Sequence, residues 1–386
     1  MPRRLLPLLI LFAATACLGR PATLAPCDGW EPERAICNLM NPEDLAPLAG
    51  RDWVIVSEMA RVDPGAEPGR SLEIPGRLTA LRVSDRTPRP LFPTRKALAP
   101  LSEWSAAAVA EPESAMPVRS DGWGDEACPG APQAKLFQPH GVDVGRGPGG
   151  RPTLAVVNHG GREAVELFEI VGLAEPDLEW RGCVPMPPGI LTNDVALLAD
   201  GGFVVTHFMP ALEGIGPKTI WTLLKIAVGG HTGEVLRWQP GQPVTVVPGS
   251  QGSAPNGIAV APDGRTVFVA EWGGKAIYRI FLAEDGGVER DEVALGHNPD
   301  NLTWTWDGRL LVAGQHGGPM KVLGCGEIRE GGCDIGYSVY VVDPVDLEPI
   351  RVLVGRGAVS VALEVENEIL VGAFAGDQII RVPIGD

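Results

Sequence analysis

Asn256–Trp272 reads NGIAVAPDGRTVFVAEW: a polar residue, an apolar strand, a Pro-Asp-Gly-Arg turn and a second apolar strand. Asp-Gly between two apolar runs is hairpin chemistry, because such turns need residues that tolerate positive φ. The pattern recurs along the chain. It is found at Glu43–Glu58 (EDLAPLAGRDWVIVSE), His140–His159 (HGVDVGRGPGGRPTLAVVNH) and Asn193–Phe208 (NDVALLADGGFVVTHF). It returns at Asp300–His316 (DNLTWTWDGRLLVAGQH) and Ser360–Phe374 (SVALEVENEILVGAF), giving six copies. From the second copy onward the spacing is about 45 to 65 residues, and several copies run on through a Gly-Gly into a third strand, as at Gly273-Gly274. Short strands repeated at that period are propeller blades, and no long helical periodicity supports a βαβ alternative. The fold expected is all-β, a six-bladed β-propeller over residues 40–386. An insertion is expected at about residues 88–133, where the chain is rich in Pro and Ala, and residues 18–39 are expected to be an N-terminal linker.

In a propeller the innermost strand of each blade lines a central channel, so equivalent positions converge on one axis. The positions in question hold Glu43, His140, Asn193, Asn256, Asp300 with Asn301, and Ser360. Any one Asn or Asp there could simply satisfy backbone groups at a strand end. A ring of them is better explained as a site. Carboxylate and amide oxygens without thiolates are hard ligands that suit Ca²⁺. His140 beside them points to acid–base work.

The bulk properties agree. A hydrophobic fraction of 45% is ample for a core, and a formal charge of −16 disfavours nucleic acid and anionic lipid surfaces as partners. Residues 1–17 read as an export signal: Arg3 and Arg4, an apolar run Leu5–Ala14, then Ala14-Thr15-Ala16-Cys17. Small residues before a Cys resemble a bacterial lipoprotein cleavage site with Cys17 lipidated, and plain cleavage is the alternative. The expected location is therefore periplasmic or cell-envelope, otherwise secreted. The remaining Cys27, Cys37, Cys128, Cys183, Cys325 and Cys333 allow up to three disulfides. Cys325 and Cys333 could staple the Gly-rich loop between them, while the other pairings stay open. No Gly-x-Ser-x-Gly elbow is present, which argues against a serine hydrolase.

Several segments together resemble the serum paraoxonase/arylesterase family, within the gluconolactonase-like (regucalcin-like) calcium-dependent propellers. They are Pro-Glu43-Asp44-Leu, Gln-Pro-His140-Gly-Val, Val-Val-Asn158-His159, Asn193-Asp194-Val, Asn256-Gly-Ile-Ala-Val-Ala-Pro-Asp-Gly, Ala-Glu271, Asp300-Asn301-Leu and His316-Gly-Gly-Pro-Met-Lys. The resemblance implies a hydrolase of lactones or carboxylic esters with two calcium ions. A catalytic ion would be held by Glu43, Asn193, Asn256, Asp300 and Asn301. A deeper structural ion would be held by Asp44, Asp194 and the backbone carbonyl of Val142. His140 and His159 correspond to a histidine dyad that activates water, and His316 to a histidine of the rim. The chain departs from the family in keeping only His207 of an Asp-His pair and in lacking a C-terminal cysteine. The reading from another class is a non-catalytic propeller, stabilised by calcium, that binds a protein or glycan.

Overall fold

The computed structural model describes residues 22–27, 34–50, 52–62, 73–93, 123–172, 174–212, 214, 216–282 and 289–384. The export signal with Cys17, and residues 94–122 of the expected insertion, lie outside the described residues. The described residues form six four-stranded sheets, and neighbouring strands within each are antiparallel. The innermost strands are Pro42–Pro47, Pro139–Arg146, Ile190–Leu197, Pro255–Val260, Asn298–Trp304 and Ala358–Val365. This is the six-bladed propeller expected from the repeat.

The second strands are apolar on both faces because both faces are buried. In Trp53–Glu58, Ile55 packs toward the second blade, whereas Val54 and Val56 pack toward the sixth. Ala155 and Val157 likewise face the third blade while Leu154 and Val156 face the first. Six apolar clusters fill the six gaps between neighbouring blades in this way. Turn chemistry fixes the hairpins. Gly264 takes φ +70°, and the Asp263 side chain accepts the N–H groups of Arg265 and Thr266, each at 2.8 Å.

Two segments behave differently from a linker and an insertion. Ala35–Ile36 pairs with Ile379 and Ile380 as the outermost strand of the sixth sheet, so the N-terminal segment closes the ring. Cys27–Cys37 brackets this strand, and the Cys27 N–H donates to Asp377 Oδ2 at 3.0 Å. Pro88–Phe92 is the outermost strand of the first blade. Cys128–Cys183 ties the segment after residue 122 to the second blade, and Cys325–Cys333 is the third disulfide. Three disulfides among the described residues point to an oxidising, exported environment. Among the described residues, no helix is long and apolar enough to cross a membrane.

Closure through so short a strand makes its one large apolar side chain important. Ile36 is buried in the cluster between the first and sixth blades. Ile36→Ala is expected to cost about 2–5 kcal/mol in urea unfolding. Val352→Ala, on an exposed part of an outermost strand, should change stability by less than about 0.5 kcal/mol. Equal effects of the two would show that the short strand does not secure the ring.

Candidate functional site

Each innermost strand carries an irregularity where the ring residues sit. Register shifts fall between Pro42 and Asp44, Thr192 and Val195, Pro255 and Ile258, Pro299 and Leu302, and Val359 and Val361. In the second blade the shift lies opposite Pro139–Val142. A regular strand sends successive side chains to opposite faces, whereas a bulge re-aims them. That is how consecutive residues such as Asn193-Asp194 and Asp300-Asn301 can both turn toward one axis. Glycine lets the strands approach there. A Cβ on Gly141 would lie 2.5 Å from Asp194 Cα, and one on Gly257 would lie 2.6 Å from Asn301 Cα.

The structure brings Glu43, His140, Asn193, Asn256 and Asp300 to the floor of one cavity of about 180 Å³. Asn301 joins them through its Nδ2, which donates to Glu43 Oε1 at 2.8 Å. Ser360 serves the backbone instead, its Oγ donating to the Glu43 carbonyl at 2.6 Å. His140 Nε2 is 3.4 Å from Asn193 Nδ2 and 3.5 Å from Glu43 Oε1. The His140 Nδ1 and His159 Nε2 atoms are 2.8 Å apart, so the two histidines are in contact. His316 stands apart: it ends its strand exposed, with Nε2 2.8 Å from Ser338 Oγ. His207 is buried with Nδ1 3.3 Å from Glu234 Oε1 and does not line the cavity.

Asp44 and Asp194 are also buried in this region. Asp44 accepts the N–H groups of Leu45 and Val142 at 2.8 and 2.7 Å, and Asp194 those of Val195 and Ile258 at 2.8 Å each. Burial and mutual repulsion dominate the electrostatics. Burial pushes the Glu43 carboxyl up to about 7 against the opposing hydrogen bond from Asn301. Burial, with the Glu43 charge added, pushes Asp300 up to about 8. Asp44 is raised well above the usual range by burial and then by Glu43, and Asp194 by burial and then by Asp44. Burial lowers His140.

These residues fit a hard cation. Glu43 Oε2, Asn193 Oδ1, Asn256 Oδ1 and Asn301 Oδ1 are all buried without a hydrogen-bond partner. Four orphaned acceptor oxygens at one place are costly unless something positive or protic meets them. Among the described residues no three His, Cys, Asp or Glu side chains are grouped as a metal centre. The mouth set is instead two carboxylates with three amides, a donor set that suits Ca²⁺ better than Zn²⁺.

Sequence reasoning missed the residues that hold the ring in place. The Gln315 amide donates to Asp300 and to the Val359 carbonyl, and accepts Trp272 Nε1–H at 3.0 Å. Thr206 Oγ1 donates to the Asn256 carbonyl at 2.6 Å. The available signal was a polar residue within or ending an otherwise apolar second strand. Above the floor the walls are apolar, including Phe208, Met209, Trp272, Val322 and Phe374. Two helices, Pro217–Ala227 and Pro319–Cys325, contribute Leu223, Ile226, Val322 and Leu323 to them.

The family model described as Arylesterase matches residues 127–331. No curated protein matches the sequence significantly. A solved structure provisionally assigned as a gluconolactonase is similar at 16% identity, over 94% of this chain and 97% of its own, with a TM-score of 0.51. A luciferin-regenerating enzyme is similar at 10% identity, over 90% and 92% of the two chains, with a TM-score of 0.50. At these identities the two structures attest the fold alone.

The raised carboxyls set a pH dependence for the cation-free protein. Their folded values lie above unfolded values near 4, so their stabilisation is complete below that pH and is lost as pH rises through about 7 and 8. Chelator-treated protein should therefore melt at progressively lower temperature from about pH 6.5, above which unfolded histidines are neutral, to about pH 8, and level off beyond that, where both carboxyls are ionised in folded and unfolded states alike. Excess Ca²⁺ should flatten that slope and raise the melting temperature throughout. Identical slopes with and without Ca²⁺ would rule out a cation at the carboxylates.

Proposed function

The chain belongs to the arylesterase family, and from that premise we propose that it is a calcium-dependent hydrolase of lactones or carboxylic esters. The observation that carries the reading is the set of orphaned oxygens of Glu43, Asn193, Asn256 and Asn301 on the floor of an apolar-walled cavity, beside a histidine pair.

Glu43, Asn193, Asn256, Asp300 and Asn301 would hold one calcium ion, and Asp44, Asp194 and the Val142 carbonyl a second, structural one. A bound ion at the first position supplies positive charge that polarises the substrate carbonyl and offsets the charge developing on its oxygen. The protein's own groups do the rest. The apolar walls take the acyl chain or ring and exclude bulk water, leaving the ester group directed at the polar floor. His140 reaches the cavity with Nε2 and is held neutral by burial, the state a general base requires. It removes a proton from water as the water oxygen attacks the carbonyl carbon. The ester C–O bond then breaks, and the proton returns to the leaving oxygen. A cavity with walls as apolar as these suits lipophilic lactones and aryl esters better than polyhydroxylated sugar lactones. Residues 1–17 are proposed as the export signal, with lipid on Cys17 holding the enzyme at the cell envelope.

Asn256→Ala and Asp300→Ala should each lower kcat/KM on a γ- or δ-lactone by at least about 100-fold while leaving a folded propeller by circular dichroism. Full activity in excess chelator would overturn the calcium reading, and no turnover across a lactone and aryl-ester panel with Ca²⁺ would overturn hydrolysis. His140→Gln should cost roughly 10²–10⁴-fold in turnover and spare calcium affinity. In the unaltered enzyme the acidic limb of the rate profile should lie below the ordinary histidine value of 6.5, because burial lowers His140. A limb at or above it would assign the base elsewhere. Cys17→Ala should move the protein from the membrane fraction to the soluble one, and unchanged fractionation would exclude the anchor.

A further inference from the structure

We propose that Glu163 is a positioning residue that completes a His140–His159–Glu163 chain and sets the tautomers of both imidazoles, so that the bare Nε2 of His140 faces the cavity. The inference rests on the hydrolytic reading for its purpose, but not for its geometry.

Glu163 sits in the turn between strands Pro152–Asn158 and Ala164–Val171, and the turn is pinned on both sides. Asn158 Oδ1 accepts the N–H groups of Gly160 and Gln138, each at 3.0 Å. A Cβ on Gly160 would lie 1.4 Å from the Leu136 carbonyl oxygen, so no other residue fits there. On the far side Arg162 forms a two-pronged pair with Glu166 at 2.8 and 2.7 Å. The Glu163 carbonyl accepts the Met186 N–H at 3.0 Å.

So held, the carboxylate meets two groups. Its Oε1 accepts the Thr192 N–H at 2.6 Å and the Thr192 hydroxyl, and its Oε2 lies 2.9 Å from His159 Nδ1. Thr192 immediately precedes Asn193, so Glu163 joins the histidine pair to the strand that carries a ring amide. Burial alone would raise the Glu163 carboxyl, but the hydrogen bonds from His159 and Thr192 outweigh it and hold it below the usual range. It is therefore a carboxylate, and a carboxylate only accepts.

The tautomers follow one by one. His159 Nδ1 must carry the proton that Glu163 accepts, which leaves Nε2 of neutral His159 bare. The 2.8 Å contact to His140 then needs its proton on His140 Nδ1. Nε2 of neutral His140 is bare in turn, and it accepts from Asn193 Nδ2 at 3.4 Å. That contact leaves Asn193 Oδ1 free, which agrees with its lack of a partner. When Nε2 takes a proton from water, the Nδ1 proton of His140 passes to Nε2 of His159. The positive charge then rests on His159 against Glu163, with no net change in protons along the chain beyond the one received. Orienting carboxylates do this work for imidazoles on unrelated folds. The opposite arrangement would place a proton on His140 Nε2, aimed at Glu43 Oε1 3.5 Å away.

The test is side-chain ¹⁵N NMR on full-length calcium-loaded protein with labelled histidine, with resonances assigned through His140→Gln and His159→Gln. Both His140 and His159 should show the Nδ1–H tautomer. In Glu163→Ala the His159 tautomer should become mixed and kcat should fall at least ~10-fold at unchanged KM. In Glu163→Gln the Thr192 N–H claims the amide oxygen, so the NH2 group faces His159 Nδ1 and should turn both imidazoles to the Nε2–H tautomer, with a loss of kcat. A wild-type His140 with its proton on Nε2 would overturn the proposal, as would tautomers and kcat unchanged in Glu163→Ala. If Glu163→Ala does not fold, the wild-type spectrum and Glu163→Gln decide. If no ester or lactone is hydrolysed, the hydrolytic reading fails while the tautomers still test the chain of hydrogen bonds.

Discussion

Four carboxylates, those of Glu43, Asp44, Asp194 and Asp300, are buried near a single axis; the Glu43 charge raises the proton affinity of the other three, and Asp44 that of Asp194. Burying one unpaired charge costs several kcal/mol, and burying four together is untenable unless they are neutralised by protons or by a cation. Much else in the molecule responds to this constraint. The amides of Asn193, Asn256 and Asn301 bring oxygens to the same place without adding charge. The backbone N–H groups of Val142 and Ile258 are directed at Asp44 and Asp194 from neighbouring blades. The ring of blades is thus held by its apolar seams on the outside and by a shared electrostatic need at the centre.

Bulges make the arrangement possible. Six irregularities at equivalent places let neighbouring residues of one strand serve one axis, and the strands they interrupt are pinned from behind by side chains of the second strands. Thr206 holds the Asn256 carbonyl, and Gln315 holds both Asp300 and the Val359 carbonyl. The polar floor is rigid for this reason, while the apolar walls above it come partly from two short helices and can vary without disturbing it.

The six-fold pattern and most of the floor were legible because both follow from local chemistry repeated in register. Asp-Gly turns mark the hairpins, and a polar residue opening an apolar strand marks the axis. What could not be read depends on contacts across long stretches of chain. Ala35–Ile36 has no feature that distinguishes a closing strand from a linker until Ile379 is beside it. Glu163 lies in a turn rich in Gly and charge, and nothing local says that it faces His159 and Thr192 rather than solvent. The pairing of Cys128 with Cys183 spans 55 residues, whereas the pair Cys325–Cys333 was readable because only a short loop separates the two. The placement of His316 away from the floor likewise depends on how the second strand of the fifth blade ends beside Ser338, not on the motif that surrounds it.

The closing strand also dictates an order of events. Ala35 and Ile36 are made long before their partners, Ile379 and Ile380. Until then the strand waits unpaired and the last sheet has an open edge, the condition in which β proteins are most exposed to wrong partners. The Glu43 carbonyl receives the Ser360 hydroxyl only at the same late moment, 317 residues apart along the chain. A chain that stopped one blade short would carry every floor residue, yet it would leave the ring open and the Glu43 carbonyl without the Ser360 hydroxyl. The ring is therefore a check on assembly: the Glu43 carbonyl is held only in molecules whose first and sixth blades have met.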